Sequence, residues 1–229
     1  MDKLVFKKRL FIAINFFIFI TTAIAVPVTL VVGSRTTRLD GGDIPYWQHI
    51  ATFTILSNIF LGLVAIVTAI IAAAKKDKPF SLALLTWYLA AASAGLVTFF
   101  TVVFFLAPVR VANGKNYFDM LVETMFFLHF LNPVLAASAF VFLTGHSKIT
   151  LKSRLLATSP VLVYSVPYIL NVVFLKTWPD FYGLTFGGKY FLLPLVFAVF
   201  IFFIFGIASL LVFLRKRATK PLQQTTKIC

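Results

Sequence analysis

Cysteine is almost absent. The 229 residues hold one, Cys229, so neither an internal disulfide nor a cysteine-built metal site can form. Acidic side chains are scarce too. Seven Asp and Glu stand against 21 Lys and Arg, and charged residues make up 12% of the chain, about half the share usual in a soluble domain. No HExxH, CxxC, carboxylate cluster, Walker loop or GxSxG elbow occurs. A zinc hydrolase, a P-loop nucleotide enzyme and an α/β-hydrolase are thereby left without their working residues, and no metal or cofactor is expected.

Apolar residues are abundant. They form 60% of the chain, with Phe alone occurring 28 times, and the mean hydropathy is +0.97. One soluble core cannot shelter that much apolar surface, and a disordered chain needs the opposite composition. An ordinary cytosolic enzyme is excluded. A membrane-spanning helix takes about 20 mostly apolar residues. Six stretches qualify, near 8–33, 49–74, 80–108, 118–144, 155–176 and 190–214. They lack the period-two alternation of barrel strands. The expected fold is all-α: a polytopic membrane protein with six transmembrane helices in one domain over 1–217, and a polar tail, 218–229, expected to be disordered. Lys3, Lys7, Lys8, Arg9 and Ala23-Ile24-Ala25 imitate a signal peptide. The apolar run continues to Val32, beyond a signal h-region, so an uncleaved first helix is expected.

The net charge of +14 acquires meaning once it is located along these spans. With the N-terminus inside, the inner segments hold 15 basic residues: Lys3, Lys7, Lys8, Arg9, Lys75, Lys76, Lys78, Lys148, Lys152, Arg154, Arg215, Lys216, Arg217, Lys220 and Lys227. The outer loops hold six, namely Arg35, Arg38, Arg110, Lys115, Lys176 and Lys189, together with Asp40, Asp43, Asp119, Glu123 and Asp180. This positive-inside pattern puts both termini in the cytoplasm and makes membrane lipids, not nucleic acid, the expected partner of the charge. The outer segments also carry Tyr46, Trp47, Tyr117, Trp178, Phe181 and Tyr182, which suit interfacial anchoring. The aromatic, glycine-rich stretch 177–189, TWPDFYGLTFGGK, is a candidate lid over an outer opening.

Polar side chains inside hydrocarbon are costly, so their positions carry the functional signal. On the second span, Thr54, Ser57, Asn58 and Leu61 share one face, with His49 at the outer end. On the fourth, His129, Asn132 and Pro133 share a face, and Pro133 frees the His129 carbonyl from its helix bond. Glu123 lies about 240° around the same helix from His129 and, with Asp119, suits a wet helix end. The fifth span carries Tyr164, Tyr168 and Asn171 on one stripe, with Pro160 and Pro167 along it. Each set reads either as the wall of a polar cavity or as hydrogen-bonded glue between helices. On the third span, Ala91 and Gly95 form a small-xxx-small pair for close packing. His146 suits a solvated inner loop.

Three segments resemble a known family. ATFTILSNIFLGLVAI (51–66) resembles its FTxxSN segment, FFLHFLNPVLAA (126–137) its LHxxxP segment, and SPVLVYSVPYILN (159–171) the proline-tyrosine segment that follows. In this order they resemble a bacterial member of the androgen-induced gene 1 / FAR-17a family of six-helix membrane proteins. The resemblance implies a bacterial cell-membrane hydrolase of lipid esters, like the family's hydrolases of fatty-acid esters of hydroxy fatty acids. By position it implies Thr54 as nucleophile and His129 as base. A neutral His can take a hydroxyl proton, and the attack would leave an acyl-threonine. Ser57 and Asn58 are then the nearest oxyanion donors, while Asn132 or a tyrosine of the fifth span would orient His129.

Depth qualifies that pairing. Counted from helix starts near 49 and 118, Thr54 lies about 7.5 Å into the membrane and His129 about 16.5 Å. Where the two do not meet, Ser57 and Asn58 become the natural partners of His129. Two other functions use the same residues without chemistry: a binder or carrier of a small lipophilic molecule, and a membrane scaffold. Protein partners are not specified by any motif.

Overall fold

The computed structural model describes residues 3–32, 46–74, 80–145 and 148–225. Asp2, Arg35, Arg38, Asp40, Asp43, Lys75, Lys76, Asp77, Lys78, His146, Lys227 and Cys229 lie outside the described residues, as do the side chains of Lys3, Tyr46, Trp47 and Lys220. The fold is all-helical, with no strand among the described residues. Among the described residues, six helices are long and apolar enough to cross a membrane. They are α1 (Lys3–Val32), α2 (Phe53–Ala74), α3 (Leu82–Ala112), α4 (Glu123–Leu143), α5 (Leu151–Phe174) and α6 (Leu193–Thr225).

The helix ends differ from the sequence expectation where capping intervenes. A 3-10 turn, Tyr46–Ala51, precedes α2, and Thr52 Oγ1 accepts the Ile55 N–H at 3.5 Å, so α2 begins at Phe53 rather than near 49. A second 3-10 turn, Tyr117–Met120, stands apart from α4, which therefore begins at Glu123 rather than near 118. At its other end α6 continues to Thr225, through much of the stretch expected to be a disordered tail. Extending an existing helix costs no new nucleation, and 215–220 offers Arg, Lys and Ala, which favour helix.

Van der Waals packing and interhelical hydrogen bonds hold such helices together, because lipid removes the usual hydrophobic drive. The third helix is the hub, packed against α2, α4, α5 and α6. Its buried run Ala90–Gly95 permits this. The Cβ position that Gly95 lacks lies 3.5 Å from Pro133 Cα of α4. Gly62 likewise admits Thr22 of α1, whose Cγ2 sits 3.0 Å from the missing Cβ. Asn132 ties α4 to α1. Its Oδ1 accepts from Thr21 Oγ1 at 2.8 Å, and its Nδ2 donates to Thr22 Oγ1 at 3.2 Å.

Helices α3 and α4 share an irregularity that shapes everything near the loops. Each contains a π turn, Val102–Leu106 and Phe127–Leu131, followed by one residue and then a proline, Pro108 or Pro133. In α4 the Asn132 N–H bonds back to Phe127 O, and Pro133 has no N–H. Leu128 O therefore loses both its i+4 and its i+5 donor. In α3 the Ala107 N–H bonds to Val102 O, and Pro108 leaves Val103 O in the same position. An unmet carbonyl inside a membrane is expensive. A side chain meets each one: Asn58 Nδ2 donates to Leu128 O at 2.9 Å, and the Tyr117 hydroxyl donates to Val103 O at 2.8 Å.

Candidate functional site

At the end of the bundle that carries the 113–122 and 175–189 loops, α2, α3, α5 and α6 part around about 560 Å³ of atom-free space. Val97, Leu106, Phe197 and Phe200 supply much of the apolar wall, and no charged side chain lines it. Six hydroxyl-bearing residues, Thr54, Thr98, Thr101, Tyr164, Tyr168 and Tyr182, also line it. Most are committed. Ser57 Oγ donates to Thr54 O at 3.1 Å and lies 2.9 Å from Thr98 Oγ1, which leaves Thr98 as donor to Ser57. The Tyr164 hydroxyl donates to Ala51 O at 3.0 Å. The Tyr168 hydroxyl donates to Asp180 Oδ1. Among the described residues, Thr54 and Thr101 place hydroxyls at this wall with no hydrogen bond of their own.

Of the stretch expected as a lid, Tyr182 and Leu184 line this space. The folding of the stretch is local. Asn171 ends α5, its carbonyl accepting the Thr177 N–H at 2.9 Å and its Oδ1 the Thr177 hydroxyl at 2.7 Å. Asp180 then gathers the turn: Oδ1 accepts the Leu184 N–H at 2.9 Å, and Oδ2 accepts the N–H and hydroxyl of Thr185 at 2.8 and 2.7 Å. Phe186, Gly187 and Gly188 follow at positive φ, a reversal that two glycines make inexpensive. Tyr182 closes the lid onto α2 by accepting the Phe53 N–H at 2.8 Å, one of the donors a helix start leaves unmet. Burial pushes the Tyr182 phenol up to about 12, so it keeps its proton at neutral pH. For Asp180, burial pushes the carboxyl up, but the hydrogen bonds from Tyr168, Thr185 and Leu184 outweigh it and hold the group below its ordinary value.

The residues expected to work together are not all here. Thr54, Tyr164 and Tyr168 line the cavity; Ser57, Asn58, His129, Asn132 and Asn171 do not. His129 is buried in the π turn of α4, where Nδ1 donates to Met120 O at 2.7 Å. A carbonyl can only accept, so Nδ1 carries the proton and the ring is held against the 117–120 turn. Thr54 and His129 form no hydrogen bond. From the observed helix starts Thr54 is about 1.5 Å along α2 and His129 about 9 Å along α4, so the offset in depth persists. Asn58 and Ser57, the alternative partners of His129, bond instead to Leu128 O and Thr98. No family model, curated protein or solved structure matches the chain.

Three contributors went unmarked in sequence. Thr98 and Thr101 stand at i, i+3 on the face of α3 beyond its small residues, a spacing that could have been read as it was on α2. In sequence Asp180 is one loop charge among several, although an Asp in a Pro-Asp turn four residues before Leu184 suits a side-chain-closed turn.

Proposed function

We propose that the chain is a multi-pass membrane protein, with both termini cytoplasmic, that binds an uncharged lipophilic molecule beneath its aromatic lid. The carrying observation is a mostly apolar cavity whose wall offers two uncommitted donors, Thr54 and Thr101, and no charge. A charged ligand would meet no counter-ion there, whereas a carbonyl or ether oxygen would meet a hydroxyl.

A solvatochromic naphthyl ketone bearing an alkyl chain is a suitable probe. Purified protein is expected to bind it saturably with a blue shift. Thr54→Val and Thr101→Val should each weaken binding by about 3–10-fold, the worth of one hydrogen bond, and Val97→Phe, which fills the space, should abolish it. Binding that survives Val97→Phe overturns the reading.

Hydrolysis of a lipid ester is the second reading, favoured by the open Thr54 hydroxyl at the wall. It requires a base that reaches Thr54; the Nδ1–H bond to Met120 O leaves the His129 lone pair on Nε2, but no hydrogen bond joins the ring to Thr54. The same preparation given a long-chain ester of a hydroxy fatty acid decides it. Turnover lost in both Thr54→Val and His129→Gln supports hydrolysis, and turnover indifferent to both removes it.

A further inference from the structure

At the opposite end of the bundle, the first turns of α3 and α5 diverge into an open groove with about 830 Å³ of atom-free space. Its floor and sides are Leu82, Thr86, Trp87 and Ala90 on one helix and Ser153 and Leu156 on the other, with Lys152 at the rim. Trp87 is 58% exposed, its ring held edge-on by Phe60 at 5.9 Å. Lys152 is exposed and, among the described residues, has no hydrogen-bond or ion-pair partner.

Arg154 and Arg215, of the same end, turn inward instead. Arg154 reaches inward to Ser209 Oγ at 3.4 Å, and Arg215 donates to Thr144 Oγ1 at 2.8 Å and lies over the Phe140 ring. Both are committed to the bundle. The described acids, Asp119, Glu123 and Asp180, all lie toward the other end. Lys152 is a cation at a groove whose wall further along carries Trp87, Ala90 and Leu156 beside the hydroxyl residues Thr86 and Ser159.

We propose that this groove holds an anionic phospholipid, its headgroup phosphate on Lys152 and its acyl chain along Trp87, Ala90 and Leu156. The polarity of the site runs in the order a lipid presents. The ammonium stands at the α5 start, and Ser159 and Ala90 lie about 10 Å further along the helices, at 1.5 Å per residue. An indole at this level suits the boundary between headgroup and chain. A basic residue near an anionic leaflet contributes about fivefold in affinity.

Trp87 supplies the readout. In the full chain carrying Trp47→Phe and Trp178→Phe, reconstituted in phosphatidylcholine vesicles, brominated phosphatidylglycerol should quench Trp87 about fivefold more per mole fraction than brominated phosphatidylcholine. Lys152→Gln should bring that ratio to about one, and Lys148→Gln, on the same end but outside the groove, should leave it high. Native mass spectrometry of the unsubstituted chain should retain phosphatidylglycerol in preference to phosphatidylcholine, and Lys152→Gln should lose the preference. Equal quenching by the two lipids overturns the proposal. So does a preference that survives Lys152→Gln or falls as far in Lys148→Gln, since either result assigns it to the diffuse charge of the face.

Discussion

Replacing Asn58 with Leu should destabilise the protein by about 1–2 kcal/mol, and replacing Pro133 with Ala should cancel most of that loss. The asymmetry comes from one carbonyl. With the π turn of α4 taking the Asn132 N–H to Phe127 and Pro133 offering no N–H, Leu128 O depends on Asn58 Nδ2 at 2.9 Å. Leucine keeps the same branched outline but leaves that carbonyl unmet in a buried, water-free place. Alanine at 133 restores a backbone N–H that can extend the π pattern by one bond to Leu128 O, after which residue 58 need not donate. Thermal or denaturant unfolding of the two single variants and the double variant measures the coupling, expected near 1 kcal/mol. Independent, additive losses would refute the assignment. Tyr117→Phe with Pro108→Ala is the parallel cycle on α3, where the Tyr117 hydroxyl serves Val103 O at 2.8 Å.

The larger functional effect is expected at Asp180. Asp180→Ala removes the acceptor for the Tyr168 hydroxyl, the Leu184 N–H and both donors of Thr185. The lid should then open, with a local cost of about 2 kcal/mol or more, and the naphthyl ketone should bind at least about tenfold more weakly. Asp180→Asn should do nearly as much harm, because its amide places an –NH2 against the Thr185 N–H. The charge also sets a pH dependence. Asp180 titrates below its ordinary value in the folded protein. Its contribution is therefore complete above the ordinary carboxyl value, about pH 4, and is lost as the pH falls through the lowered one. Acrylamide quenching of Trp178, isolated by Trp47→Phe and Trp87→Phe, should stay constant from neutrality to about pH 4 and rise below it. In Asp180→Asn it should be high throughout. Quenching that rises between pH 5 and 7 in the parent would show that another group controls the lid.

The spans were legible because their signal is composition summed over some twenty residues, which local detail cannot reverse. The site was legible only in part. A regular 3.6-residue wheel placed His129, Asn132 and Pro133 on one face and assigned the freed carbonyl to His129. The π turn changes the local period, so the carbonyl that finds a side-chain donor is Leu128 O, and Asn132 turns to α1. The tyrosine stripe divides for a similar reason. Tyr164 and Tyr168 precede the π turn Leu170–Phe174 and line the cavity, while Asn171 falls within it and caps the helix end. Asp180 escaped because its role depends on Tyr168, twelve residues earlier and on another element. Nothing in a loop's charge reveals a partner of that kind.

A π turn is an α-helix carrying one inserted residue. A relative with one residue fewer between Glu123 and Pro133 could keep an unbroken fourth helix and all the packing on the far side of the proline. Its unmet carbonyl, however, would then be the one four places before the proline, about 100° further around the axis. It would no longer face the second helix, and the Asn58 amide, which also donates to Thr54 O at 2.9 Å, would have lost the acceptor of its other hydrogen. A change of helix length by one and a change of residue 58 are thus a single evolutionary step, and each without the other leaves a polar group stranded.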